Sequence, residues 1–393
     1  MKSKYSTYLK VVAVVLGGAF LTTGCLQAPD EPLYRTSEKL PEYEQTSFEE
    51  YVKDTKLWLE QNRVFLTDDK QTEIDANTPF ELAPKDQVTP TKGVLFVHGL
   101  GDSPFYFRDI ANVLSEQGFL VRTVLLPGHG SRPGDLILPT FDDWKRVVQH
   151  HAELLANDVD EVWLGGFSTG ANLVTAYAAQ HDDIDGLLLF SPAMAPKDSL
   201  HVIAPVANYF LDWLDVDPHE DNYTRYATLA TNGAALFSES VSEVNDQLSE
   251  TPYRKPVLMV ISESDSVLDS AETIDLFKSS FLHPQSRFVW YGDGKITGDT
   301  RIISLASSIP EQRISTFSHM SVLFSPTNEY YGKNGSQLVC DNGQSEEAEK
   351  ACPYSEELWY SSYDYLEEGK IHARLTWNPY FSELAETIET VTK

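Results

Sequence analysis

Short apolar runs alternate with segments in which apolar residues recur every three or four positions, and this alternation organises the chain from about Lys92 to Ser280. The runs Val94 to Val97, Phe119 to Leu126, Val162 to Leu164, Gly186 to Phe190 and Lys255 to Ile261 are short and mostly apolar, as strands buried on both faces of a parallel sheet are. The segments between them predict helices near Pro104 to Gln117, over Phe141 to Ala156, after Ser168 and over Ala271 to Ser280. After Ser168, the residues Ala171, Val174, Thr175 and Ala178 fall at i, i+3, i+4 and i+7, one stripe of a helix laid on a sheet. The strand before it is expected to stop at Gly165-Gly166. Such alternation predicts an α/β fold with a doubly wound, mostly parallel sheet, whose ligands bind beyond the carboxyl ends of the strands. Upstream, Ser47 to Phe65 reads as an amphipathic helix capped by Ser47, with Glu50 completing a capping box.

Three of the expected strand ends carry loops with chemical potential. Gly166-Phe167-Ser168-Thr169-Gly170 is a G-x-S-x-G at a strand-to-helix turn, where crowding two positions before and after the serine leaves room only for hydrogen. The turn holds the Ser168 hydroxyl off the sheet and aims the Thr169 N–H at an anion site by the helix N-terminus. His98-Gly99-Leu100-Gly101 follows the first buried strand, and in an acyl-transfer enzyme the Leu100 N–H would be the second oxyanion donor. Pro127-Gly128-His129-Gly130 closes the next strand.

The order of HGLGDSP, LLPGHGSRPGDL and GGFSTG resembles the α/β-hydrolase superfamily, in particular its bacterial carboxylesterase and monoglyceride-lipase-like branch, over roughly residues 90 to 325. The resemblance implies an α/β-hydrolase fold and a serine hydrolase with a mobile cap inserted after the strand that ends at Ser191. Residues 193–253 are the candidate cap, without strand-helix alternation, and its apolar stretch Val202 to Leu214 is expected to lie over the Ser168 site and grip an acyl chain. The family's acid lies just after the strand ending at Ile261, where Ser262-Glu263-Ser264-Asp265-Ser266-Val267 fits its pattern with serine in place of glycine. Asp265 is therefore the expected acid, and Asp269, the other choice, an expected helix cap. The catalytic histidine must follow the acid, which leaves His283, His319 and His372. His319 is expected to fill the role because it follows the strand-like stretch Arg313 to Phe317, with residues 292–312 as an inserted excursion. By this resemblance Ser168 attacks an ester of short to medium acyl chain, monoacylglycerols included, His319 moves the proton and Asp265 holds the imidazole. Leu100 and Thr169 N–H groups would bind the oxyanion, with no metal or organic cofactor required. Amide or peptide cleavage, acyl transfer to an alcohol, and an inactive binding lipoprotein on the same fold stay open.

Residues 1–24 place Lys2, Lys4 and Lys10 ahead of an apolar core, the pattern of a secretory signal rather than a spanning helix. Leu21-Thr22-Thr23-Gly24-Cys25 resembles the lipobox of bacterial lipoproteins, whose cysteine is lipidated and becomes the mature N-terminus, and Leu26 resembles the outer-membrane sorting pattern. The expectation is an extracytoplasmic protein held at the bacterial outer membrane by lipid on Cys25, with residues 25–46 as a tether and 47–393 as the hydrolase domain. Formal charge is −29, and −32 without the three signal lysines. So acidic a surface repels nucleic acid and anionic head groups, which leaves a small neutral ester or lipid as the expected substrate. Cys340 and Cys352 are expected to form one disulfide rather than a metal pair, since no histidine lies within ten residues of either. Around them, residues 329–365 carry six tyrosines, an aromatic flap over the acyl pocket or a stapled surface excursion.

Overall fold

The computed structural model describes residues 30–85, 89–213, 216 and 220–393; the expected signal sequence and Cys25 lie outside the described residues. Strands β1 (Glu81–Leu82), β2 (Lys92–Val97), β3 (Phe119–Val124), β4 (Glu161–Phe167), β5 (Ile184–Phe190), β6 (Val257–Ser262), β7 (Arg287–Tyr291) and β8 (Ile302–Leu305) form an eight-stranded sheet in the order β1-β3-β2-β4-β5-β6-β7-β8. β1 is antiparallel to β3 and the other neighbours run parallel. The strand order reverses between β2 and β4, which makes their carboxyl ends the crevice where an open α/β sheet takes its ligand.

Period-two alternation divides the sheet's side chains between two cores. Leu95, Val97, Leu187, Leu189, Met259 and Ile261 join Trp144, Val174 and Phe277 of the helices on one face. Val94, Phe96, Leu188, Phe190, Leu258 and Val260 join Ile110, Leu114, Leu384 and Ile388 on the other. Because both faces are covered, the strands read as continuous apolar runs. The helix Thr169–Ala178 lies between the sheet and the cap helix Thr231–Glu250, and so is buried on nearly every side rather than along one stripe.

Three expectations need correction. β4 does not stop at Gly165-Gly166; both glycines pair with Phe96 and Val97 of β2. Glycine is used there because Phe96 occupies the side-chain space, a Cβ on Gly165 falling 2.1 Å from its ring. Residues 313–317 form no strand, only bridges from Ile314 to Ile309 and Tyr360. The sheet's last strand, β8, instead lies inside the segment expected as an excursion; its residues are all partly exposed, as suits a short edge strand with a weak apolar signature. At the first helix, Phe48–Asn62, Ser47 Oγ accepts from Glu50 N at 3.2 Å, but the Glu50 carboxylate accepts from the Thr46 hydroxyl.

Of the expected tether, residues 33–45 pack on the domain. Gly134 N donates to Leu33 O, Ser37 N to the Asp135 carboxylate, and Tyr34 meets Trp213 edge-on at 5.5 Å. The disulfide between Cys340 and Cys352 is formed, with Cα atoms 5.8 Å apart. Beside it, β9 (Leu358–Ser361) and β10 (Ile371–Arg374) make a separate two-stranded parallel sheet.

Candidate active site

Ser168 sits where β4 turns into the helix Thr169–Ala178, with φ 52° and ψ −118°, a conformation that costs a non-glycine residue roughly 1–3 kcal/mol. The surroundings enforce it. A Cβ at Gly166 would lie 2.4 Å from Ala171 N, and one at Gly170 would lie 2.0 Å from Val97 O, so neither flanking glycine can be enlarged without moving backbone. Ser168 N donates to Phe190 O, pinning the turn to β5. Thr169 opens the helix, so its N–H has no intrahelical acceptor. Among the described residues, neither the Thr169 N–H nor the Leu100 N–H donates to a protein acceptor.

Two histidines not assigned a role from the sequence hold the neighbouring loops. Leu126 N donates to His98 Nε2 at 3.0 Å, and Gly101 N donates to His129 Nε2 at 2.9 Å. Each loop is thus fixed by the histidine of the other, with Leu100 in the fixed span. The arrangement requires neutral rings, and burial supplies them. It holds the His98 pKa well below the ordinary value, with the nearby His129 adding to the effect, and lowers His129 to about 4. The signal was present in HGLG and PGHG, but reciprocal pairing is visible only once β2 and β3 are neighbours.

Asp265 follows β6 and is buried, Oδ1 accepting from Val267 N at 2.8 Å and Leu268 N at 3.2 Å. Its other oxygen receives His319 Nδ1 at 2.7 Å, across 54 residues of sequence. Ser262, the serine that stands in place of the family's glycine, links the two loops: its hydroxyl donates to Phe317 O and accepts from Ser264 N. Ser191, also at positive φ, donates to His319 O at 2.8 Å, a positioning role the sequence did not disclose. Asp269 caps the helix Ser270–Ser280, accepting from Ala271 N and Glu272 N. His283 is half-buried near the surface, and His372 is buried on β10.

Ser168, Thr169, Leu100 and His319 line one cavity of about 240 Å³. The cap's contribution to it is Arg225, Leu229 and Phe237, not the apolar stretch expected to cover the serine. In that stretch Val202, Val206, Tyr209 and Phe210 are exposed, while Trp213 is buried against Tyr34. The tyrosine-rich segment divides as well. Tyr330 and Tyr331 are buried behind Tyr106, Tyr331 bonding Asn222 and Thr224, whereas Tyr354 and Tyr363 face solvent. A hydroxyl on a strained turn, an imidazole fixed by a carboxylate and two unengaged N–H groups around one cavity are the groups that acyl transfer requires.

Fold and site together define an α/β-hydrolase. Residues 89–292 match the family described as serine aminopeptidase, S33, and the chain belongs to that family. It is 31% identical over 191 residues to the thermostable monoacylglycerol lipase of Bacillus sp. (strain H-257), covering 47% of this chain and 75% of that protein. Among solved structures it is similar to a metagenome-derived lipolytic enzyme (19% identity, TM-score 0.49, 55% of this chain and 87% of that one). It is also similar to a monoacylglycerol lipase of Paleococcus ferrophilus (20% identity, TM-score 0.44, 54% of this chain and 87% of that one).

Proposed function

We propose that this lipase- or esterase-type α/β-hydrolase cleaves small carboxylic esters through a triad of Ser168, His319 and Asp265. The observation that carries the reading is His319, held by the buried Asp265, opening with Ser168 onto one cavity. His319 takes the Ser168 proton as the hydroxyl attacks the carbonyl, then delivers it to the leaving alcohol; Asp265 fixes the tautomer with Nδ1 protonated and stabilises the imidazolium. Leu100 and Thr169 N–H groups receive the oxyanion, and water releases the acid from the acyl-enzyme. A cavity of about 240 Å³ lies below the roughly 300–1,000 Å³ of drug-sized ligand pockets, which favours short acyl chains. The similarity to a monoacylglycerol lipase supports an ester over an amide. Lipid on Cys25 would hold the enzyme at the outer membrane, where Cys25→Ser should release it into the soluble fraction.

The test is turnover of p-nitrophenyl esters of rising acyl length beside matched peptide amides. Ser168→Ala and His319→Ala should each lose on the order of 10⁴ in kcat, while His283→Ala keeps most of its activity. Fluorophosphonate labelling that survives Ser168→Ala would reject the nucleophile. Faster turnover of the amides would reject the esterase.

A further inference from the structure

The cavity beside Ser168 holds two arginines that the triad does not use. Arg225 comes from the cap and Arg374 from the end of β10, and both line the cavity. Arg374 is set in place by the disulfide-bonded segment. Its backbone N donates to Val339 O and its guanidinium donates to Asp341 O at 2.6 Å, residues flanking Cys340, while Tyr363 stacks on it at 4.9 Å. The Arg374 side chain is only 14% exposed, and its carboxylate neighbour Asp341 stands 3.8 Å away in solvent. Among the described residues, the Arg225 guanidinium donates no hydrogen bond to a protein acceptor.

Asp102 is the carboxylate that lines the cavity with them, and it is a weak counter-ion. Burial pushes its carboxyl up to about 6 against the pull of Arg225 and the Tyr106 hydrogen bond. Burial also lowers Arg374 to about 10, assisted by the positive charge of Arg225, so both guanidiniums are charged at neutral pH. Of the residues that line the cavity, two are guanidinium cations and one, Asp102, is a carboxylate; Asp341 and Glu220 act on Arg374 and Arg225 from outside that lining, and Arg374 Nε reaches Asn342 Oδ1 at 3.4 Å, so the cavity wall itself carries an excess of positive charge. Removing a guanidinium from water without giving it a partner is costly, so a site of this kind is completed by an anion from outside.

We propose that Arg225 and Arg374 form a carboxylate subsite, so that the preferred substrate is a small ester bearing a free acid group. This deepens the ester-hydrolase reading and rests on it. It reverses the preference for neutral esters expected from net charge. Surface charges are screened over about 8 Å at physiological ionic strength, whereas cations lining the cavity act on the substrate at contact. Two geometries share the chemistry, an acid on the acyl side, as in a half-ester of a short dicarboxylic acid, or one on the alcohol side.

The experiment compares kcat/KM of the full chain for mono-p-nitrophenyl glutarate against p-nitrophenyl pentanoate. A second arm compares 3-(butyryloxy)propanoate against propyl butyrate. An anionic ester should be preferred in one arm, most strongly at low salt. In that arm the anionic-to-neutral ratio should fall about 10- to 100-fold in Arg374→Gln, the worth of a hydrogen bond to a charged group. It should recover in part in Arg374→Lys and rise in Asp102→Asn, where the internal competitor is gone; loss of a merely structural residue would lower both esters alike. Preference for the neutral ester in both arms, or equal losses in Arg374→Gln, overturns the subsite. If no ester is turned over, the esterase reading fails by itself. Calorimetric titration of Ser168→Ala with glutarate then decides the subsite: binding abolished by Arg374→Gln upholds it, and no binding rejects it.

Discussion

On the serine side of the cavity, the groups that shape the chemistry lie within a few residues of two strand ends. Gly166 to Gly170 fold over β4 and His98 to Gly101 leave β2; at Gly166 and Gly170 backbone atoms leave space for hydrogen only, and at Gly99 the Asp102 carboxylate does, 2.5 Å from where a Cβ would lie. On the histidine side the contacts that place the imidazole are long-range. His319 is held by Asp265 from 54 residues earlier and by Ser191 from 128 residues earlier, and its neighbour Ser318 donates to Leu375, 57 residues later. One half of the site is held by steric exclusion within a short motif, the other by single hydrogen bonds between distant loops. The first should fail abruptly when one methyl is added, and the second should weaken by degrees.

The sharpest test is Gly170→Ala. Its Cβ would enter the space of Val97 O at 2.0 Å, so either β2 or the helix must shift. Stability should fall by about 3 kcal/mol or more, beyond the usual overpacking penalty because the obstacle is backbone. Turnover should fall at least about 10²-fold as the Ser168 hydroxyl leaves its position. Thermal unfolding and ester kinetics read both, and wild-type values in either would mean the motif is looser than its geometry says.

Acid should loosen the serine side through its histidines. His129 has a pKa near 4 in the folded protein against about 6.5 when unfolded, so the unfolded chain binds the extra proton first and stability is lost as pH falls from about 6.5 towards 4. By pH 4 the loss from this group is about 3 kcal/mol. His98 shifts the same way, as does His151, which is lowered to about 3. His129→Gln keeps an acceptor for Gly101 N without titrating, so its unfolding free energy should decline less between pH 7 and pH 4.5 than that of the wild type. Parallel declines would assign the acid sensitivity elsewhere.

The histidine side should respond more mildly. Ser191→Ala removes the bond to His319 O, worth about 1 kcal/mol of stability. Because the contact orients the base rather than the substrate, kcat should drop about tenfold with KM nearly unchanged. A change confined to KM would show that Ser191 shapes binding instead.

Legibility followed the same division. The buried strands, the doubly wound order and the Ser168 turn were readable because apolar runs and glycine sterics are properties of neighbouring residues. Asp265 and Asp269 could be told apart because a helix N-cap has its own local signature, which Asp269 bears out. What escaped the sequence were pairings that exist only after folding: the exchange between His98 and His129, the hold of Ser191 on His319, and the entry of Arg374 into the cavity. The last strand lies at Ile302–Leu305 rather than at Arg313 to Phe317 because RIISL at a sheet edge and RISTF in the following loop carry the same apolar signal, and only pairing with β7 distinguishes them.

The smallest effect is expected outside both halves, in the cap stretch that looks apolar enough to grip a substrate. Phe210 is 73% exposed and does not line the Ser168 cavity, so Phe210→Ala removes no buried contact. A surface substitution of this kind changes stability by no more than about 0.5 kcal/mol. Esters of different chain length should keep their relative kcat/KM within about twofold. The stretch reads as apolar without forming a core because Val202, Val206, Tyr209 and Phe210 face solvent, while Ala204 and Trp213, the latter against Tyr34, are buried. If Phe210→Ala selectively weakens longer esters while unfolding is unchanged, the cap must close over the cavity during turnover, bringing Phe210 to the acyl chain and adding a third, moving wall to the two fixed ones.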